Sequence, residues 1–181
     1  MSDRVPSTKR PQARAILGSV LFLIVAPGTV AGLIPWWISN WKVQLMPPGF
    51  LIVQLLGVLI LGTGLLFLLE SFARFALQGI GTPAPVLPTR HLVTTGLYRS
   101  VRNPMYVAVV AAILGQSMIL RNLDLVLYSG LVWLVSHLFV VAYEEPTLRR
   151  TFGNEYAEFC ANVPRWIPRL RPWKGPAGRG R

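Results

Sequence analysis

Long uncharged apolar runs alternate along this chain with short polar and basic segments. Three runs, Ala15 to about Trp37, Phe50 to Leu69 and Leu123 to Tyr143, reach the roughly 20 residues needed to cross about 30 Å of hydrocarbon. A fourth, Met105 to Leu120, is shorter and predicts a helix that is thinly immersed, little tilted or partly re-entrant. Only the polar turn Arg121-Asn122 separates the last two runs, so the pattern predicts an antiparallel helical hairpin with both open ends on one side. The fold class is all-α integral membrane, with about four transmembrane helices, a C-terminal helical hairpin and a cytoplasmic tail.

Local signals place the joints. Pro47-Pro48-Gly49 turns the chain between the first two spans, and the Gly/Pro-rich stretch from Gly79 to Pro85 ends the second helix. Beyond Leu69 the apolar pattern continues through Phe72, Phe75 and Leu77, predicting a helix that runs on along the interface with Glu70 and Arg74 paired at i,i+4. Residues 79–97 form a long cytoplasmic loop of the kind that carries function or stays disordered. Gly28 and Gly32 in the first span, and Gly57, Gly62 and Gly64 in the second, suit close helix approach. Trp36, Trp37 and Trp41 read as an interfacial belt. Asn103-Pro104 reads as N-cap and first position of the third helix, Pro146 opens a new helix, and Pro164 to Pro172 predicts an extended, basic, membrane-hugging tail. Residues 1–14 read as a disordered basic tail, 15–78 as two N-terminal transmembrane helices, and 79–181 as the functional half.

Composition supports the bilayer reading. Hydrophobic residues make up 52% of the 181 positions and charged residues 14%, outside the usual balance of a soluble domain. The net charge of +11 suggests nucleic acid until its placement is considered. Sixteen of the eighteen basic residues fall on one side of the predicted spans, with Lys42 and Arg121 the exceptions. That is the positive-inside pattern, with both termini cytoplasmic. It assigns the charge to topology and anionic lipid rather than to nucleic acid. The first span is too long, and too interrupted by Pro27 and Pro35, for a cleaved signal peptide. With no organelle signal and a short N-terminus, a bacterial inner membrane is the expected location, and a monomer the expected state. The lone Cys160 excludes an intramolecular disulfide. His91 and His137 have no carboxylates at ligand spacing, so no metal site is expected.

Two polar patches remain to carry chemistry: TGLYRSVRNPMY (Thr95–Tyr106) and YEEPTLRRTFGNEYAEF (Tyr143–Phe159). The hairpin brings Arg99, Arg102 and Asn103 opposite Glu144 and Glu145, at a lipid boundary where ionisable groups are costly unless paired or wet. A helix N-terminus at Asn103-Pro104 suits an anionic group. The plainer reading of Glu145 is an i,i+4 surface pair with Arg149. Tyr98, Tyr106, Tyr143 and Tyr156 surround the same mouth as interface anchors or ligand contacts. No glycine spacing matches a nucleotide-phosphate cradle. No serine has a nearby His–acid pair, and His137 reads as buried in mid-helix.

GLYRSVRNPMY, EEPTL, FGNEYAEF and VPRWIP, in that order between Thr94 and Pro168, resemble the C-terminal signature of the isoprenylcysteine carboxyl methyltransferase and phospholipid methyltransferase superfamily. The resemblance implies an integral-membrane enzyme using S-adenosylmethionine, whose cofactor site lies in the last hairpin and cytoplasmic tail and opens sideways for a lipophilic substrate. It implies that Gly96, Tyr98, Arg99, Asn103, Pro104, Tyr106, Glu144 and Tyr156 contact the cofactor, and that Arg102 and Glu145 are catalytic. Glu144 and Glu145 are interchangeable at this level. Asn103 stands where the isoprenylcysteine enzymes have histidine, which removes any titratable role. Phe159 stands where several relatives have a second tyrosine. The acceptor is a lipophilic or small carboxylate, amine or thiol. Two other readings are a non-catalytic membrane interaction module and a sterol-reductase-like membrane enzyme.

Overall fold

The structure, a computed structural model, describes residues 24–44, 49–74 and 92–175. The expected tail 1–14, the start of the first span and most of the 79–97 loop lie outside the described residues. Those described are helical, with no strand among them. Helix α1 (Ile24–Ser39) contains a π-helical turn at Thr29–Leu33. Helix α2 is Leu51–Arg74, α3 Pro104–Leu120 and α4 Leu123–Phe139. A second π turn, Val140–Glu144, joins α4 to α5 (Glu145–Asn162) without a break.

Packing is most extensive between α2 and α3. Their seam is made of small residues. A Cβ on Gly57 would sit 2.9 Å from the Gly115 carbonyl oxygen, and one on Gly64 would sit 2.9 Å from that of Ala108. Backbones at this separation leave no room for side chains. Gly62 and Gly32, also read as contact glycines, face open space, so proximity along a helix did not decide which glycine is buried. Leu68, Phe72, Ala108, Val109 and Ile113 form the core beside this seam.

The turn at Arg121-Asn122 forms as the sequence suggests, for two reasons. Arg121 takes the left-handed conformation (φ 58°) that ends α3. The Asn122 side chain then accepts from the backbone N–H groups of Asp124 at 2.9 Å and Leu125 at 3.2 Å, capping α4. The Arg121 guanidinium donates to Gln54 Oε1 at 3.1 Å and lies over the Phe50 ring, tying the turn to α2. At α1, the carbonyls of Val30 and Ala31 within the π turn accept from Tyr128 Oη (2.9 Å) and Gln116 Nε2 (2.7 Å).

Pro146 stands in the first turn of α5, as expected of a proline that opens a helix. That helix is nevertheless continuous with α4, because the wider π turn before Pro146 accommodates a residue with no N–H and a ring that crowds the preceding turn. The chain departs from helical geometry at Gly153 (φ 50°, ψ −120°).

Leu51–Arg74 and the continuous Leu123–Asn162 are long and apolar enough to cross a membrane; α1 and α3 are apolar but shorter. In both longer helices only 17% of the most apolar stretch is buried. Leu59, Leu66, Leu127 and Leu138 point outward instead. Apolar outward faces of this extent are what lipid solvates and water does not. Trp36, Trp37 and Trp41 are exposed at the end of α1.

Gly115→Val should overpack the α2–α3 seam and cost about 1–3 kcal/mol, read as a lower thermal midpoint in detergent. Gly62→Val, facing open space, should leave the midpoint nearly unchanged. Equal effects would contradict the seam.

Candidate functional site

Three segments far apart in sequence meet at the common end of α3 and α4. The first begins at Gly96, whose left-handed backbone (φ 58°) opens a 3-10 turn, Gly96–Arg99. Gly96 lies against the Glu70–Arg74 ion pair of α2, where a Cβ would overlap both side chains. That contact requires glycine. The turn buries Tyr98 and delivers Arg102, Asn103 and Pro104 to the start of α3. Burial, then the nearby charges of Glu144 and Glu70, push the Tyr98 phenol well above its usual range, so it stays protonated and able to donate.

The second segment is the π turn. Successive residues on a helix point about 100° apart, so Glu144 and Glu145 diverge. Glu144 faces a cavity and accepts from Tyr106 Oη at 3.1 Å. Glu145 turns away and is buried between two guanidinium groups. Arg165 holds it through Nε at 2.6 Å to Oε1 and a second nitrogen at 3.0 Å to Oε2, and Arg102 donates to Oε1 at 3.0 Å. Arg102 also donates to Cys160 Sγ at 3.0 Å. The expected Glu145–Arg149 pairing is replaced by this knot, and the Arg149 guanidinium lies over the Tyr156 ring.

The third segment is the tail, expected as an extended, basic stretch along the membrane. Its backbone is bonded to the first segment. Arg102 N–H donates to the Pro164 carbonyl (2.9 Å), Arg169 N–H to that of Ser100 (2.9 Å) and Trp173 N–H to that of Arg99 (2.8 Å). Asn103 Nδ2 donates to the Arg165 carbonyl at 3.2 Å rather than capping α3 with its side chain. Arg99 Nε donates to the Trp173 carbonyl. Trp166 Nε1 donates to His137 Nδ1 at 3.0 Å, and His137 stacks on Trp133. His137, read as buried in mid-helix, is half-buried and fastens the tail.

The first two segments, with α1, α2 and α4, wall a cavity of about 400 Å³, and the tail braces the first from outside the lining. Tyr98, Arg102, Asn103, Pro104, Tyr106 and Glu144 line one part of it. Mostly apolar residues line the rest, including Ala26, Pro27 and Val30 of α1, Leu68 and Phe72 of α2, and Leu131, Val132 and Val135 of α4, with Tyr128 and Ser136 of α4 among them. Among the lining residues Arg102 is the only cation and Glu144 the only carboxylate.

Of the ten site residues expected from sequence, those six line the cavity and four do not. Gly96 packs on the α2 ion pair, Arg99 holds the tail and Glu145 sits in the arginine knot. Tyr156 is buried with Tyr98, Phe159 and Val163. Sequence reading missed Arg165, Trp166 and His137 as structural partners of the site. The VPRWIP block was the only signal for the first two.

The sequence profile of the phospholipid methyltransferase family matches residues 52–155, which include the whole of the first polar patch and the second as far as Glu155. The chain is also 28% identical over 138 residues to "Protein-S-isoprenylcysteine O-methyltransferase B" of Arabidopsis thaliana. That alignment covers 74% of this chain and 60% of the relative, so the chain spans about three fifths of the length of the curated relative it matches.

Glu145→Ala leaves two guanidinium groups without their shared carboxylate. Removing one partner of a buried ion pair costs about 3–5 kcal/mol, and the partial exposure of Arg165 lowers the expected loss towards the smaller figure. A double-mutant cycle of Glu145→Ala with Arg165→Ala, scored by thermal unfolding in detergent, should show strong coupling. Additive losses would mean that the two side chains do not act together.

Proposed function

The chain belongs to the phospholipid methyltransferase family, and from that premise we propose that it is a membrane methyltransferase using S-adenosylmethionine and a lipophilic acceptor. The observation that carries this reading is the cavity, polar where α3 begins and apolar between α1 and α4. One end suits a charged cofactor and the other an acyl or prenyl chain. Its volume falls within the range of small-molecule sites, roughly 300–1,000 Å³.

The residues present fit the cofactor. Glu144 has acceptor capacity beyond the one bond from Tyr106, which suits ammonium or ribose hydroxyl groups. Asn103, Tyr98 and the free N–H groups in the first turn of α3 would hold the carboxylate end. Arg102 lines the cavity, and its Nε is buried with no hydrogen-bond partner among the described residues.

Bound S-adenosylmethionine supplies an electrophilic methyl group on a sulfonium sulfur. The protein's part in such a displacement is alignment, to a reacting distance of about 3–3.5 Å. Glu145 and Cys160 fix the Arg102 guanidinium, so Arg102 would orient an acceptor carboxylate, such as the carboxylate of an isoprenylated cysteine. A carboxylate needs no base. An amine acceptor is the second reading, favoured by Glu144 on the lining, because Glu144 is placed to take the proton that an ammonium must lose before it can attack. Glu145 orients Arg102 in either case. In the membrane we assign four crossings, both termini on the cytoplasmic face and the polar groups of the site in the 79–181 half, with a bacterial inner membrane as the setting.

Calorimetry in detergent tests the reading. S-adenosylhomocysteine should bind the intact chain, with about tenfold or greater loss in Glu144→Ala, where a charge-assisted hydrogen bond disappears, and a smaller loss in Tyr106→Phe. No binding to folded protein would favour a membrane interaction module, and binding of a nicotinamide cofactor instead would favour a reductase. With cofactor bound, methyl transfer to a prenylated carboxylate but not to a phospholipid amine would assign the acceptor, and the converse would reassign it.

A further inference from the structure

The tail is committed to protein along its backbone, through Arg165 and Trp166, through Trp173 on the Phe159 ring, and through one guanidinium nitrogen of Arg169 that donates to the Asn162 carbonyl, but its outer edge stays exposed. Ile167 is 79% exposed and Leu170 fully exposed, at 100%. Arg169, Arg171 and Lys174 stand exposed around them. No acidic residue follows Glu158 in the sequence. Two large aliphatic side chains in water, interleaved with three cations and no counter-charge, are unfavourable for a segment bathed in solvent on all sides. At a bilayer surface the same composition is favourable. Apolar groups enter the acyl boundary while the cations meet headgroup phosphates.

Position in the fold points the same way. The tail is bonded to Arg99, Ser100 and Arg102, just before Pro104 begins the apolar α3. It is bonded again through Trp166 to His137, near the end of apolar α4. It therefore crosses the ends of two apolar helices, at the level where a bilayer enclosing those helices passes into its headgroup layer. We propose that the tail's exposed edge, Ile167, Arg169, Leu170, Arg171 and Lys174, docks on the anionic headgroups of the membrane that holds the chain. This surface is separate from the cavity, and its test requires neither cofactor nor turnover.

The full chain is reconstituted in nanodiscs of phosphatidylcholine alone or of phosphatidylcholine mixed with phosphatidylglycerol. Chymotryptic cleavage after Leu170 and Trp173 is then followed by mass spectrometry. Each basic residue near an anionic surface changes partition roughly fivefold, so cleavage should slow at least about tenfold in the anionic discs. Raised salt should remove the protection, as should the triple variant Arg169→Gln, Arg171→Gln, Lys174→Gln, which keeps both cleavage positions. Equal cleavage in the two lipids would overturn the proposal. So would protection in neutral discs that survives the triple variant, or protection in detergent that rises with protein concentration, the sign of a second copy covering the edge.

Discussion

A buried carboxylate between two guanidinium groups holds this site together. Glu145 receives Arg102 from the segment before α3 and Arg165 from the tail, and each of the three depends on the other two. An unpaired Glu145 in that position would be strongly disfavoured, so the tail must return across the helix ends for α5 to begin where it does. The return brings with it the backbone bonds from Arg102, Arg169 and Trp173 and the contact between Trp166 and His137. Arg102 is thereby fixed at the edge of the cavity rather than free on a flexible stem.

The same constraint separates two neighbouring glutamates that sequence alone makes equivalent. With Glu145 directed into the arginine knot, Glu144 is left facing the cavity and Tyr106. The π turn at Val140–Glu144 sets the angle at which both emerge, and π turns recur where a helix must present side chains out of ordinary register. At the same end of the hairpin, the close approach of Gly64 to Ala108 between α2 and α3 lets Leu68, Phe72 and Val109 close the cavity's side. The charged groups of the lining, Arg102 and Glu144, therefore come from segments at the helix ends, and the apolar lining from the helices themselves.

Much of this was legible in the residues. Arg121-Asn122 marked the turn because asparagine caps a helix and two polar residues cannot extend an apolar run. Asn103-Pro104 marked the start of α3, and the pairing of the two polar patches followed from the two together. What could not be read needed distances between elements. Gly57 and Gly62 look alike in sequence, yet only Gly57 meets another backbone. Asn103 looked like a side-chain cap but bonds to the Arg165 carbonyl. Pro146 looked like a helix start, and a π turn carried the helix through it. The tail's basic character suggested lipid, and said nothing of the bonds by which Arg165 and Trp166 fasten it to Glu145 and His137. Composition reports what a segment tolerates, whereas the hydrogen-bond partners of its backbone report where it lies.

The most direct test of the account is an experimental structure of the full chain in lipid with S-adenosylhomocysteine bound. The account predicts the ligand in the cavity, touching Asn103 and Glu144, with Glu145 still held between Arg102 and Arg165. A ligand bound elsewhere, or a bound state in which Glu145 has left both arginines while the ligand stays in place, would contradict it.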